Sequence, residues 1–232
     1  MGYPRIIGLF GAVTLLFALS QRVEATSFSN INAISIPGSG TQGIADPYPS
    51  IINVSGLIGT ITDVNVTIYG LSHSSPDNID ILLVGPAGQK LILMSDAGGP
   101  HNVSNLTITF DDEALIPPPN GTVLFEGSFK PVNYTGNGGP IDVFPAPAPA
   151  GPYGSLLSIF DGTSPNGSWS LFVFDDQGVS NDPGIGSIAR GWRLDVATAV
   201  TGGSTSVAEP STLLLLGVGL LGLAARKRRV KS

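Results

Sequence analysis

Alternation with a period of two runs through the middle of this 232-residue chain and leaves it few folds to choose from. Val64, Val66 and Ile68 alternate with Asn65, Thr67 and Tyr69, and Leu106, Ile108 and Phe110 with Thr107 and Thr109. Trp169, Leu171 and Val173 share one face of their stretch, as do Trp192, Leu194 and Val196 with Arg193 and Asp195 opposite. Successive side chains of a strand point to opposite faces, so each stretch turns one side to a core and the other to water. Ile79 to Val84 and Leu91 to Met94 are unbroken apolar runs, bounded by Pro76, Gly85-Pro86-Ala87-Gly88 and Gly98-Gly99-Pro100. They are expected as central strands joined by a Gly-Pro turn. Nothing between residues 26 and 207 keeps helical spacing. Roughly seven to nine short strands predict an all-β fold, an antiparallel jelly-roll β-sandwich with both tryptophans buried.

Proline breaks this rhythm twice. Pro117-Pro118-Pro119-Asn120-Gly121 and Phe144 to Pro152, in which Pro and Ala alternate, lack donors for a strand ladder. Both are expected as loops, the second an extended polyproline segment lying against the sandwich.

The two ends are not part of that domain. Arg5, the apolar run Ile6 to Leu19 and the small-x-small triplet Val23-Glu24-Ala25 make residues 1–25 a signal peptide for the Sec export machinery. At the other end Glu209-Pro210-Ser211-Thr212 precedes an apolar run, residues 213–225, and a basic terminus, Arg226-Lys227-Arg228-Arg229. As a helix that run is about 20 Å long, shorter than the ~30 Å hydrocarbon core, and its basic neighbours would snorkel to the cytoplasmic surface. A simple single-pass anchor is one reading of such a tail. The three-part order resembles the PEP-CTERM sorting signal, with Ala208 where many members carry a first proline. That resemblance implies an exosortase as partner, contact with the membrane through the tail, and a cell-envelope, surface or matrix location. Residues 26–199 are then the domain, 200–207 a Thr/Gly/Ser-rich stalk and 208–232 the sorting tail.

Charge narrows the functions open to the domain. The whole chain carries −6, but residues 26–199 hold fifteen carboxylates against Lys90, Lys130, Arg190 and Arg193. Such a surface repels nucleic acid. It suits calcium, which takes oxygen ligands, and solubility through net charge is the competing use of these acids. Asp111, Asp112, Asp175 and Asp176, at expected strand ends, are the candidate calcium ligands, with Asp77 and Asp80 flanking Asn78 as further acids. Capping of backbone amides is the alternative role for the Asp111-Asp112-Glu113 group. The absence of cysteine removes disulfides, thiolate nucleophiles and cysteine-bound zinc.

Several elements follow one another along the chain: Ile61 to Val66, His73, Asp77-Asn78-Ile79-Asp80-Ile81-Leu82-Leu83-Val84-Gly85-Pro86, Phe110-Asp111-Asp112-Glu113, Phe160-Asp161-Gly162, Pro165-Asn166-Gly167-Ser168-Trp169 and Gly191-Trp192-Arg193-Leu194. Together they resemble the P domain (P/Homo B) of proprotein convertases and subtilisin-like secreted proteases, from about Pro49 to Val196. The resemblance implies a jelly-roll sandwich that accompanies and stabilises a protease. Asn78 stands where many members carry Asp. Asn166-Gly167 is expected to form a tight turn that delivers Trp169 to the core.

Catalytic chemistry has few residues to work with. Hydrolysis by serine needs an activating histidine, and only His73 and His101 exist; no Gly-x-Ser-x-Gly elbow occurs. His73 is expected as a structural imidazole. Seven Asn-x-Ser/Thr sequons, at Asn53, Asn65, Asn102, Asn105, Asn120, Asn133 and Asn166, are an incidental result of Asn- and Thr-rich strands or glycan acceptors. The expectation is a noncatalytic exported protein working by binding or assembly. Its alternatives are an accessory domain acting in trans on a secreted subtilisin-like serine protease, and a carbohydrate-binding module.

Overall fold

The alternating stretches become strands of two sheets that close on one core. The computed structural model describes residues 25–37, 42–134, 142–177 and 186–200. In chain order the strands are β1 (Ala25–Asn30), β2 (Ile34–Ile36), β3 (Gly43–Ile44), β4 (Ser50–Val54) and β5 (Thr60–His73). There follow β6 (Ile79–Val84), β7 (Lys90–Ser95), β8 (Val103–Phe110), β9 (Gly127–Phe129) and β10 (Val132–Asn133). The last are β11 (Gly167–Asp175), β12 (Gly186–Ile188) and β13 (Trp192–Ala199). Two 3₁₀ turns, Pro76–Asn78 and Leu157–Phe160, complete the regular structure of the described residues.

One sheet has the order β1-β13-β5-β12-β2, with β8 on the other edge of β5 and β9 beyond it. The second runs β10-β7-β6-β11-β3, and β4 also pairs with β11. The expected sandwich is the observed fold. Its ladders are antiparallel except for two short parallel pairs, β7–β10 and β8–β9. The extra strands are two- and three-residue pieces, too short to display a period in the sequence. Val64, Val66, Ile68, Leu194, Val196, Ile108 and Phe110 face inward from the first sheet, against Ile79, Ile81, Leu83, Leu91, Leu93, Leu171 and Val173 from the second.

Trp169 and Trp192 are both fully buried, as their strand phase predicts. Each indole N–H has a partner, the Pro165 carbonyl at 3.0 Å for Trp169 and the Ser50 hydroxyl at 3.0 Å for Trp192. Asn166 does not form the expected tight turn. Its side chain binds Leu57 instead, accepting the Leu57 N–H and donating to its carbonyl, which fastens the start of β11 to the loop after β4.

The second sheet is buried on both faces, and this explains why β6 and β7 read as continuous apolar runs. On the outer face Leu82, Ile92 and Phe172 are covered by Phe144, Ala148 and Tyr153 from the proline-rich segment, together with Tyr48. Phe144 and Tyr153 meet edge to face at 5.6 Å, and Tyr48 and Phe172 at 4.9 Å. Residues 142–154 therefore form a strap over the sheet. The strap lies against the sandwich as expected but is not an extended polyproline helix. It folds back at a turn in which the Ala148 N–H donates to the Pro145 carbonyl (3.1 Å). A straight segment would carry Phe144 and Tyr153 apart, whereas the turn brings both rings to one apolar patch.

Candidate functional site

The most polar part of the interior lies where β5 and β11 end. His73 and Asp175 are 3% and 0% exposed, and His73 Nε2 lies 3.3 Å from Asp175 Oδ2. Nε2 is also 3.1 Å from the Pro37 carbonyl, while Nδ1 accepts the Ser75 N–H at 3.1 Å. In the neutral ring that N–H fixes the proton on Nε2, between two oxygens. Burial works against charging the imidazole, yet the Asp175 carboxylate and the Pro37 carbonyl outweigh it and hold the pKa above the ordinary histidine value. Gly186 on β12 makes room for the ring, because a Cβ there would sit 2.2 Å from His73 Cδ2. With both nitrogens engaged by these buried partners, His73 joins β5 to β11 and offers no bare nitrogen to a hydroxyl.

Asn78 belongs to the same knot. Its side-chain amide donates to the Gln177 carbonyl (3.0 Å), and its own carbonyl accepts the Asp176 N–H (3.0 Å). An aspartate here would lose the donor and set its oxygens against the Gln177 carbonyl. Asparagine at this position thus has a local reason.

The four candidate calcium ligands fall into two places with different work. Asp112 accepts the N–H groups of Leu157 and Ser158, both at 2.9 Å, and caps the second 3₁₀ turn. Asp111 accepts the Glu113 N–H at 2.7 Å. At the end of β11 the two adjacent acids point apart. Asp175 turns inward to His73, and Asp176 lies toward Asp96 and Asp142. Among the described residues no group of three or more His, Asp and Glu side chains is arranged to hold a metal ion.

Asp176 and Asp80, named apart in the sequence as acids for calcium, come together in a cluster under the leading end of the strap. Asp80 projects from β6 to the outer face and is 2% exposed. Ser95, Asp96, Asp142 and Asp176 surround it. Burial first, then the charges of Asp142, Asp176 and Asp96, push its pKa up to about 8. Burial first, then the charges of Asp96, Asp175 and Asp142, raise Asp176 to about 6. The signal was present in the sequence as an aspartate inside the apolar run Ile79 to Val84. It becomes informative only once the outer face is known to be covered. Beside it, Asn133, Asp142, Val143 and Tyr153 line an open cavity of about 310 Å³ between the strap and β10.

Both tryptophans are buried, and Lys90 lies over the Tyr153 ring at 6.0 Å. Of the sequons, Asn53, Asn102, Asn105, Asn120, Asn133 and Asn166 are exposed and Asn65 is half-buried. Asn53 accepts the Ser168 hydroxyl, Asn65 donates to Asp63, and Asn166 is committed to Leu57.

Residues 1–24 of the expected signal peptide, residues 201–207 of the expected stalk and the sorting residues Glu209, Pro210, Ser211 and Thr212 lie outside the described residues. Among the described residues no helix is long and apolar enough to cross a membrane. Comparison with known proteins places the tail. Residues 206–229 match the PEP-CTERM protein-sorting motif. No curated protein matches the chain. Among solved structures, the chain is similar to the serine protease of Aeromonas sobria, at 15% identity and a TM-score of 0.34, over 75% of this chain and 27% of that one. The same protease in complex with the chaperone gives 17% identity and a TM-score of 0.34, over 72% and 26%. The chain spans about a quarter of the length of those solved chains. What is established is an all-β sandwich followed by a PEP-CTERM signal, which marks the protein for export and sorting.

Proposed function

We propose that the protein is a noncatalytic, exported P-domain-like sandwich, displayed at the cell surface or in the matrix around it, and that it works by binding or assembly. The observation that carries this reading is the match of residues 206–229 to the sorting motif, which begins seven residues after β13 ends at Ala199. So short a stalk keeps the sandwich close to whatever holds the tail. An exosortase processes the tail, and the Sec machinery exports the chain through its N-terminal segment. The engagement of both His73 nitrogens supports a noncatalytic role. Display is tested by labelling intact cells with a membrane-impermeant amine reagent. Lys90 and Lys130 are expected to react before lysis; modification only after lysis overturns the proposal.

The order of P-domain elements in the sequence favours a second reading, an accessory unit acting in trans on a subtilisin-like serine protease. The protein would then copurify with such an enzyme and slow its thermal inactivation. A purified protease unaffected by added protein removes this reading and leaves the first intact.

A further inference from the structure

We propose that Asn120 is a site of spontaneous modification, its side chain closing on the Gly121 nitrogen to a cyclic imide that water opens to aspartate or isoaspartate. Two Asn-Gly pairs lie among the described residues, Asn120-Gly121 and Asn166-Gly167. By sequence the reaction is open to both, because a glycine puts no side chain in the way of its own nitrogen. The fold treats the two pairs differently. Asn166 is held at both atoms of its side-chain amide, Oδ1 accepting the Leu57 N–H at 3.1 Å and Nδ2 donating to the Leu57 carbonyl at 2.8 Å. Gly167 is fixed as well. It opens β11 opposite Val54, and an added Cβ there would sit 2.6 Å from Pro86 Cβ.

Asn120 and Gly121 are both exposed, and among the described residues no hydrogen bond engages the Asn120 side chain or the Gly121 N–H. A Cβ added to Gly121 would meet nothing within 4 Å. Attack requires the peptide between the two residues to rotate until the Gly121 nitrogen faces Asn120 Cγ. One bond resists that rotation, from the buried Gly98 N–H to the Asn120 carbonyl at 3.0 Å. The same N–H also reaches the Pro119 carbonyl, at 2.7 Å. Gly98 therefore keeps its shorter bond when the Asn120 carbonyl turns away, and no buried donor is stranded.

Water is the sole co-reactant. The Gly121 N–H gives its proton to solvent, the nitrogen bonds to Asn120 Cγ, and the Cγ–Nδ2 bond breaks to release ammonia. Water then opens the ring at one of its two carbonyls. Opening at the side-chain carbonyl gives aspartate. Opening at the former main-chain carbonyl gives isoaspartate, in which the chain runs through Cβ and Cγ and is longer by one methylene. Either product adds a negative charge, but only the second needs room. Room is scarce beside Gly99, where an added Cβ would already lie 3.1 Å from the carbonyl carbon of Gly121. Gly98 next to it packs as closely on Pro76 and on Leu124, which is buried. Isoaspartate thus presses on the turn that seats Leu124 in the core.

Incubation of the full mature chain at pH 8 tests this, with fragment masses reading amide against acid at Asn120 and at Asn166. In the folded protein Asn120 is expected to react at least about tenfold faster, the effect of two hydrogen bonds of ordinary net strength at Asn166. In urea the difference is expected to vanish, because the unfolded chain gives both pairs the same freedom. Gly121→Ala, whose Cβ enters open space, is expected to melt like the wild type and to keep Asn120 an amide. The melting temperature of the incubated wild type should fall as isoaspartate accumulates, and that of Asn120→Gln should hold even if Gly121→Ala does not fold. Equal rates at the two sites in the folded protein, a difference that persists in urea, or reaction of Gly121→Ala at the wild-type rate overturns the proposal. So does a glycan on Asn120 Nδ2 in protein taken from its cells, since that nitrogen would then be held by a sugar and not released.

Discussion

Trp192 donates its indole N–H to the hydroxyl of Ser50 at 3.0 Å, and this single bond joins β13 of one sheet to β4 of the other through the core. The same hydroxyl accepts the Asn30 side-chain amide at 3.2 Å, so the start of β4 is tied to the end of β1 as well. Removing the hydroxyl strands a buried donor. Ser50→Ala is expected to cost about 1–3 kcal/mol, the penalty for an unpaired buried polar group. Urea unfolding followed by tryptophan fluorescence measures it; an unchanged midpoint would show that the indole finds another partner.

Trp169 tests the core itself. It packs on Phe160 with ring centroids 4.8 Å apart and is fully buried. Trp169→Ala is expected to cost about 3–5 kcal/mol, a large part of a domain's stability. A variant that melts like the wild type would contradict the burial of this strand face.

Asp112 tests whether its acidic loop is structural. Its carboxylate caps two N–H groups of the Leu157–Phe160 turn. Asp112→Ala is expected to lose about 0.5–2 kcal/mol, the usual cost of a helix cap, and Asp112→Asn, which keeps one acceptor oxygen, less. Equal stability of the wild type and both variants in the absence of divalent ions would remove the capping role.

Asp80 gives stability a direction with pH. Its raised pKa, near 8, predicts a melting temperature that falls between pH 6 and pH 9. Asp80→Asn should flatten that fall. Calorimetry across the range decides, and a wild-type melting temperature that rises with pH over this interval would reverse the assignment.

The sequence disclosed features that depend on local pattern. Val64, Val66 and Ile68 announced their shared face because strand geometry makes the period two, and Trp169 and Trp192 followed the same phase inward. Asp112 was legible as a possible cap because it follows a strand end, although its partners lie 45 and 46 residues away. What depends on distant chain was hidden. The role of Asn166 rests on Leu57, 109 residues earlier. The strap's turn answers to Leu82 and Phe172, and the protonation of Asp80 answers to the strap. Neither is written in its own neighbourhood. The sorting tail was legible throughout because its motif, apolar run and basic terminus are contiguous.

The central claim, an exported sandwich delivered by a C-terminal sorting signal, is tested most directly by intact mass measured after cell fractionation. The wild type is expected outside the cytoplasmic membrane, with a mass that begins near Thr26 and lacks the basic terminus. Glu209→Ala/Pro210→Ala, which removes the polar-proline part of the motif matched at residues 206–229, should be retained with its tail unprocessed. A wild-type mass that still includes Met1 and Ser232, or identical mass and location for the wild type and the variant, would contradict the account.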